Sequence, residues 1–305
     1  MKISRYLVAA VLSFIFMDLA AQSRVDTAYI GKYSRPWRVM LTYNASEYTT
    51  ISSGKGFSSV LSTSITNRFS VGLGYQGLGF NYSYRPGSED QTEVGIQAYG
   101  RALGAEFKFH TSHNLTMDLK GDGGRVHMSI TDLRMSSILM NGYWALNPRK
   151  FSYQAALIQS RRQKRSAGSP ILGWALNIDD IAFIDTVGYE KGDLLSYSNV
   201  QLLAGAGYGY NWVLDKGRLL VHASLIPMFP IVDSYVYIYK DADSEVEYTK
   251  RFSITGLARA GIIYYWSDRF YTGLILTDNL CGGWEDGYVD WGNSWFLRLP
   301  LVYRF

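Results

Sequence analysis

Two groups of residues in this chain have the types and spacing to do chemistry. The first is Arg161-Arg162-Gln163-Lys164-Arg165, the densest charge in the sequence. Guanidinium groups grip phosphate oxygens in pairs. At a membrane rim, Arg161, Arg162, Lys164 and Arg165 would therefore suit lipopolysaccharide phosphates. Turned inward they would steer anions, and a solvated loop before Gly168 is the plain alternative. The second group is Glu93, Arg101, Glu106, Lys108, Arg134, Arg259, Arg298 and Arg304. These read as inward-facing ionisable residues, either paired into structural salt bridges or lining a narrow pore. Arginines outnumber carboxylates among them, so a pore would favour anions.

Other constellations carry less. His110 and His113 flank Ser112, and Ser129 lies near His127, but no Gly-x-Ser-x-Gly elbow accompanies them. A nucleophile needs a base and an orienting third group. These histidines therefore read as polar loop residues, no catalytic residue is assigned, and a membrane lipid hydrolase is only a third reading. Asp241, Asp243 and Glu245 alternate as calcium ligands can, but without the turn glycine of a full loop they read as an acidic loop. The segment Cys281–Trp295 holds Glu285, Asp286 and Asp290 with Trp284, Tyr288 and Trp291. Such a loop suits sugar or peptide recognition, or anchoring at a membrane interface. No phosphate-cradling or dinucleotide motif is present. No metal or cofactor is expected, and a net charge of +4 is too slight to argue for nucleic acid.

The elements that must position these residues alternate with a period of two. Trp295, Leu297, Leu299, Leu301, Tyr303 and Phe305 share one parity, against Ser294, Phe296, Arg298, Pro300, Val302 and Arg304. Leu202 to Trp212 repeats the pattern against Leu203, Gly205, Gly207, Gly209 and Asn211, and Phe252 to Trp266 repeats it against Ser253, Thr255 and Arg259. One face suits lipid and the other carries charge. The chain has 24 Tyr, 14 Phe, 8 Trp and 30 Gly but only 7 Pro, a composition for strands and tight turns.

At the N-terminus, Lys2 and Arg5 precede an apolar run from Tyr6 to Met17 and the small residues Ala20-Ala21. That pattern predicts a secretory signal peptide over residues 1–21. Residues 22–36 read as an exposed periplasmic stretch and 37–305 as the folded domain. Cys281, the sole cysteine, rules out an internal disulfide framework.

A soluble sandwich also alternates, but three features favour a transmembrane antiparallel up-and-down barrel of the outer-membrane type. Strands run to about ten residues, where globular ones average about five or six. Short turns at 147–150, 215–217 and 267–269 oppose long loops near 111–130, 185–199, 239–250 and 280–293. The chain also stops on a strand, with Tyr303 and the C-terminal Phe305 as a barrel-assembly signal. An open edge is untenable in lipid, so the last strand must close on the first, 37–49. Fourteen segments qualify, among them 57–66, 68–76 and 150–163. The Gln76-Gly77 break reads as a turn or a bulge, and 178–186 as part of a strand or one of its own. Twelve to fourteen strands are expected.

Asp26-Thr27-Ala28-Tyr29-Ile30 with Trp37, the run Val71 to Gly79, and Lys150 to Ala156 leading into Gln163 to Ser169 together resemble an uncharacterised Bacteroidetes outer-membrane barrel family, domain of unknown function 4421. The resemblance implies an outer-membrane barrel, and with it outer-membrane lipid and the barrel-assembly machinery as partners. It brings no activity. On sequence alone the leading function is a narrow pore or small-solute transport component. The alternative is a non-conducting structural or binding barrel that engages lipopolysaccharide or a protein through its outer loops.

Overall fold

The computed structural model describes residues 25–305 apart from 55, 64, 86–92, 122–123, 184–192, 242, 249–251 and 286–287. The expected signal peptide and the site candidate Asp286 lie outside the described residues. So do the side chains of Ser112, His113, His127, Ser129, Glu285 and Tyr288.

In chain order the first elements are β1 (Ile30–Lys32), β2 (Trp37–Gly54), β3 (Phe57–Thr63), β4 (Thr66–Tyr75), β5 (Leu78–Tyr84), β6 (Glu93–Tyr99), β7 (Leu103–Gly121) and β8 (Gly124–Ala145). A helical turn α1 (Tyr153–Ala156) follows, then β9 (Arg161–Gln163), β10 (Ala167–Phe183), β11 (Leu194–Leu214) and β12 (Leu219–Tyr239). The chain ends with β13 (Glu245–Tyr248), β14 (Phe252–Tyr265), β15 (Phe270–Glu285) and β16 (Tyr288–Arg304). All except β1, β3, β9 and β13 form one antiparallel barrel of twelve strands. It closes where β16 pairs with β2, from Arg304 opposite Arg38 to Val289 opposite Ser53.

The count is twelve for two reasons. First, β3 is no separate wall strand. It continues β4 along the same edge of β2, with Ser62 opposite Thr49 and Thr66 opposite Ser46. The other edge of β3 pairs with β7, while that of β4 pairs with β5. The β5–β6 hairpin thus fills only the lower wall, and the upper wall is two strands narrower. Second, the expected strand over 150–163 is not one. Phe151, Tyr153, Ala155 and Leu157 share one parity, but Ala156 and Ile158 are apolar on the other. A segment apolar all round has to be enclosed, and this one enters the barrel. Every residue from Phe151 to Gln159 is buried. Ser152 starts the turn, its Oγ accepting from the Ala155 amide at 3.2 Å.

Two smaller questions also resolve. Gln76-Gly77 is a two-residue turn between Tyr75 and its partner Leu78, with Gln76 at φ 49°. Residues 178–183 continue β10. Much of what reads as long loop near 111–130 and 280–293 is strand, because β7, β8, β15 and β16 run on through those ranges.

Alternation sorts the two faces. In β4, Thr66, Arg68, Ser70, Gly72 and Gly74 are buried, while Phe69, Val71, Leu73 and Tyr75 are 39–60% exposed. In water so large an apolar belt would be a liability, whereas against hydrocarbon it is a solvated surface. Trp37, Tyr75, Trp212, Trp266, Tyr303 and Phe305 lie exposed around the short-turn rim, as an interfacial girdle requires.

Candidate functional site: a plugged lumen and the chamber above it

The segment that fails to become a strand closes the short-turn half of the barrel. Phe151, Tyr153, Leu157 and Ile158 pack with the wall residues Tyr143, Ile171, Leu203, Ile226, Ile263 and Tyr271 into a solid core. The glycine stripe of β11 makes the room, since a Cβ on Gly209 would stand only 3.2 Å from Phe151 Cζ.

Polar latches fix this plug. Gln163, fully buried, donates through Nε2 to the Lys150 carbonyl at 2.6 Å and to the Arg165 carbonyl at 2.9 Å. Its Oε1 accepts from the Ser152 amide at 3.1 Å and from Asn211 Nδ2, also at 3.1 Å. Asn211 also donates to the Ser152 carbonyl at 3.0 Å and contacts His222 Nδ1 at 2.8 Å. A buried amide with every group matched holds one geometry. Gln154 donates to the carbonyl of Tyr99 on the far wall.

The N-terminal stretch, expected to be exposed, docks beneath. β1 pairs with β9, Ile30 opposite Gln163 and Lys32 opposite Arg161. The basic cluster therefore lies at the short-turn end, opposite the long loops. Arg162 bonds Asp268 at 2.6 Å, Lys164 donates to the Thr27 carbonyl at 3.1 Å, and Arg165 lies 5.8 Å from the Tyr29 ring centre. These side chains clamp the N-terminal stretch and a neighbouring turn onto the plug. The residues expected to meet lipopolysaccharide phosphates thus sit at the short-turn end, with Arg162 and Lys164 bound to protein partners.

Above the plug the lumen carries a charged belt. Arg259 Nη2 meets Glu106 Oε2 at 2.7 Å, and Tyr99 donates to the other oxygen of Glu106. Arg68 faces Glu93 at 3.5 Å and His110 Nδ1 at 3.0 Å. Lys108 Nζ sits 3.5 Å from the Phe296 ring centre. Arg298 joins Glu93, Glu106 and Lys108 around a cavity of 70 Å³ whose floor is the plug residues Leu157, Ile158 and Gln159. Two carboxylates thus oppose four cations.

Of the expected lumen residues, Glu93, Glu106, Lys108, Arg259 and Arg298 come together here. Arg304 faces inward too, but at the plug's base. Its guanidinium donates to the Gln159 carbonyl and to the Asp268 carbonyl. Two expectations are corrected. Arg134 is exposed and takes the parity opposite the buried Met135 and Ser137, so it points outward. Arg101 sits in the turn joining β6 to β7 at the short-turn rim, away from the belt.

Sequence reasoning missed Arg38 and Arg68, two of the largest fully buried side chains. Arg38 Nη1 donates to the Gln76 carbonyl at 2.6 Å. The signal was available, because both sit opposite Val39, Leu41, Phe69 and Val71 on the inward parity.

Over the belt, in the long-loop half, lies a cavity of 260 Å³. Its lining is mostly hydroxyls and amides, including Tyr48, Ser137, Asn177, Gln201, Tyr235 and Asn279. Among the described residues of its lining, Glu47, Asp179, Asp290 and His110 carry carboxyl or imidazole groups and none is Lys or Arg.

The family model described as "Domain of unknown function (DUF4421)" matches residues 24–305. A search of curated protein sequences finds no match. Among solved structures, the outer membrane protease OmpT of Escherichia coli is 8% identical, with 90% of this chain and 98% of that one covered at a TM-score of 0.45. The toluene transporter TodX of Pseudomonas putida is 8% identical, covering 93% and 98% at 0.34. The outer membrane protein OprG of Pseudomonas aeruginosa is 10% identical, covering 90% and 98% at 0.30.

Proposed function

The chain belongs to the DUF4421 family, and from that premise we propose that it is an outer-membrane barrel held shut by its own chain, a binding barrel that does not conduct at rest. Its termini and short turns then face the periplasm, and its long-loop end faces outward. The observation that carries the reading is the unbroken burial of Phe151 to Gln159 across the lumen.

Magnitudes support a fixed plug. Phe151, Tyr153, Leu157 and Ile158 each contribute about 1.5–3 kcal/mol by burial, so withdrawing them costs on the order of 10 kcal/mol before any hydrogen bond is counted. A transmembrane potential supplies only about 2.3 kcal/mol per charge per 100 mV. Voltage alone does not displace such a segment. A pore would need another protein, or a bound ligand, to move it.

The test is conductance in planar bilayers. Wild-type protein is expected to be silent, and a variant with 151–160 replaced by a Gly-Ser linker is expected to conduct. The positive excess of the belt should make that open form prefer anions, a preference reduced by Arg298→Ala. Discrete, stable channels from the wild-type barrel would defeat the proposal.

A further inference from the structure

Resting on the reading of an outward-facing binding barrel, we infer that the 260 Å³ chamber is a site for an uncharged saccharide. Its size falls just below the roughly 300–1,000 Å³ of small-molecule sites, and its wall chemistry narrows the class.

Anions are disfavoured first. Among the described residues, the chamber's lining holds no Lys or Arg, although four cations stand immediately below it. A small cation would want uncommitted carboxylates, but two of the three in the lining are already held by neutral donors. Ser137 donates to Asp179 Oδ1 at 2.6 Å, and Trp295 Nε1 donates to Glu47 at 3.1 Å.

What the wall offers instead is amides, from Asn177 and Gln201 to Asn279, interleaved with hydroxyls from six wall strands. An amide both donates and accepts, so it can meet a pair of adjacent hydroxyls, each itself a donor and an acceptor. Asp233, opposite Gln201 in the β11–β12 ladder, accepts from Asn199 at 3.0 Å. Tyr235 supplies a flat face on the wall, with Tyr237 stacked on it at 6.2 Å. Such rings take the C–H face of a sugar while their hydroxyls stay wet. The site therefore offers many neutral donors and acceptors around an aromatic platform.

The experiment uses the full-length barrel in an amine-oxide detergent, because glucoside and maltoside headgroups would compete. It is screened against an array of neutral glycans covering hexoses, pentoses and N-acetylhexosamines in both anomeric linkages. Spermidine and dextran sulfate serve as the cationic and anionic arms. Saturable binding of one or more neutral glycans is expected, weakened tenfold or more by Gln201→Leu and by Asn177→Leu, with the compact barrel still migrating as folded on unheated gels. Asn177→Asp, which keeps an acceptor, should lose less. Binding confined to spermidine or dextran sulfate overturns the assignment. So does an array with no positives, or glycan binding that survives both leucine substitutions. Should either variant fail to fold, the wild-type array still decides. Conductance recorded on the same preparation keeps the two claims apart. A silent barrel that binds no glycan loses only the saccharide site, and a conducting barrel that binds one loses only the fixed plug.

Discussion

Arg304 lies over the ring of Tyr33, its guanidinium carbon 3.3 Å from the ring centre, while its Nη2 reaches the carbonyl of Gln159. One side chain on the last strand therefore grips both the N-terminal stretch and the plug. A delocalised planar cation suits this stacked, buried place, and lysine does not substitute for it.

Arg304→Ala should loosen the plug without opening the wall. The lost charged hydrogen bond to Gln159 alone is worth about 1.5–3 kcal/mol. Expected outcomes are a lower urea midpoint by tryptophan fluorescence and flickering conductance in bilayers, and Arg304→Lys should recover little of either. A variant as silent and as stable as wild type would remove the anchoring role.

Glu106→Gln should cost more than Glu106→Gln combined with Arg259→Met. The single change strands the Arg259 guanidinium, only 2% exposed, and breaking one side of a buried pair costs about 3–5 kcal/mol. Replacing both partners by groups of similar volume removes the unpaired charge. Unfolding midpoints of the wild type and the two variants check the order, and a double variant no more stable than Glu106→Gln would contradict it.

Gly205→Ala and Gly256→Ala form a matched pair. A Cβ at Gly205 would stand 2.0 Å from the Pro227 carbonyl oxygen, backbone that cannot turn aside. Overpacking of that kind costs about 1–3 kcal/mol. At Gly256 the nearest atoms are 3.9 Å away, so the change should fall within about 0.5 kcal/mol of neutral. Equal midpoints for the two variants would mean that β11 does not approach β12 this closely.

Deleting Phe305 should impair insertion. Its amide donates to the Trp37 carbonyl at 3.1 Å, the final bond of the β16–β2 closure, and its ring stands in the girdle at the short-turn rim. The measure is the yield of heat-modifiable barrel in membranes. Equal yields of truncated and full-length protein would deny it a part in assembly.

The wall was legible because period two is a local property. Leu297 to Phe305 and Arg298 to Arg304 announce their faces without reference to any other strand, and the pairing of 37–49 with the last strand follows from closure alone. The plug was not legible. Phe151, Tyr153, Ala155 and Leu157 also alternate, and only the apolar Ala156 and Ile158 between them mark a segment surrounded on every side. Arg134 shows that charge alone does not mark the lumen, since its parity with Ser136 and Ile138 sets it outside. The basic cluster could not be placed at either end until the connection holding it was seen to fold inward.

The plug is encoded between β8 and β10, yet its anchor Arg304 lies on β16, the strand that closes the barrel on β2. A nascent cylinder that drew shut around nothing would leave that guanidinium in the interior without the Gln159 carbonyl that receives it. The strand that seals the wall against β2 thus also carries the side chain that seats the plug, so one element serves both closures.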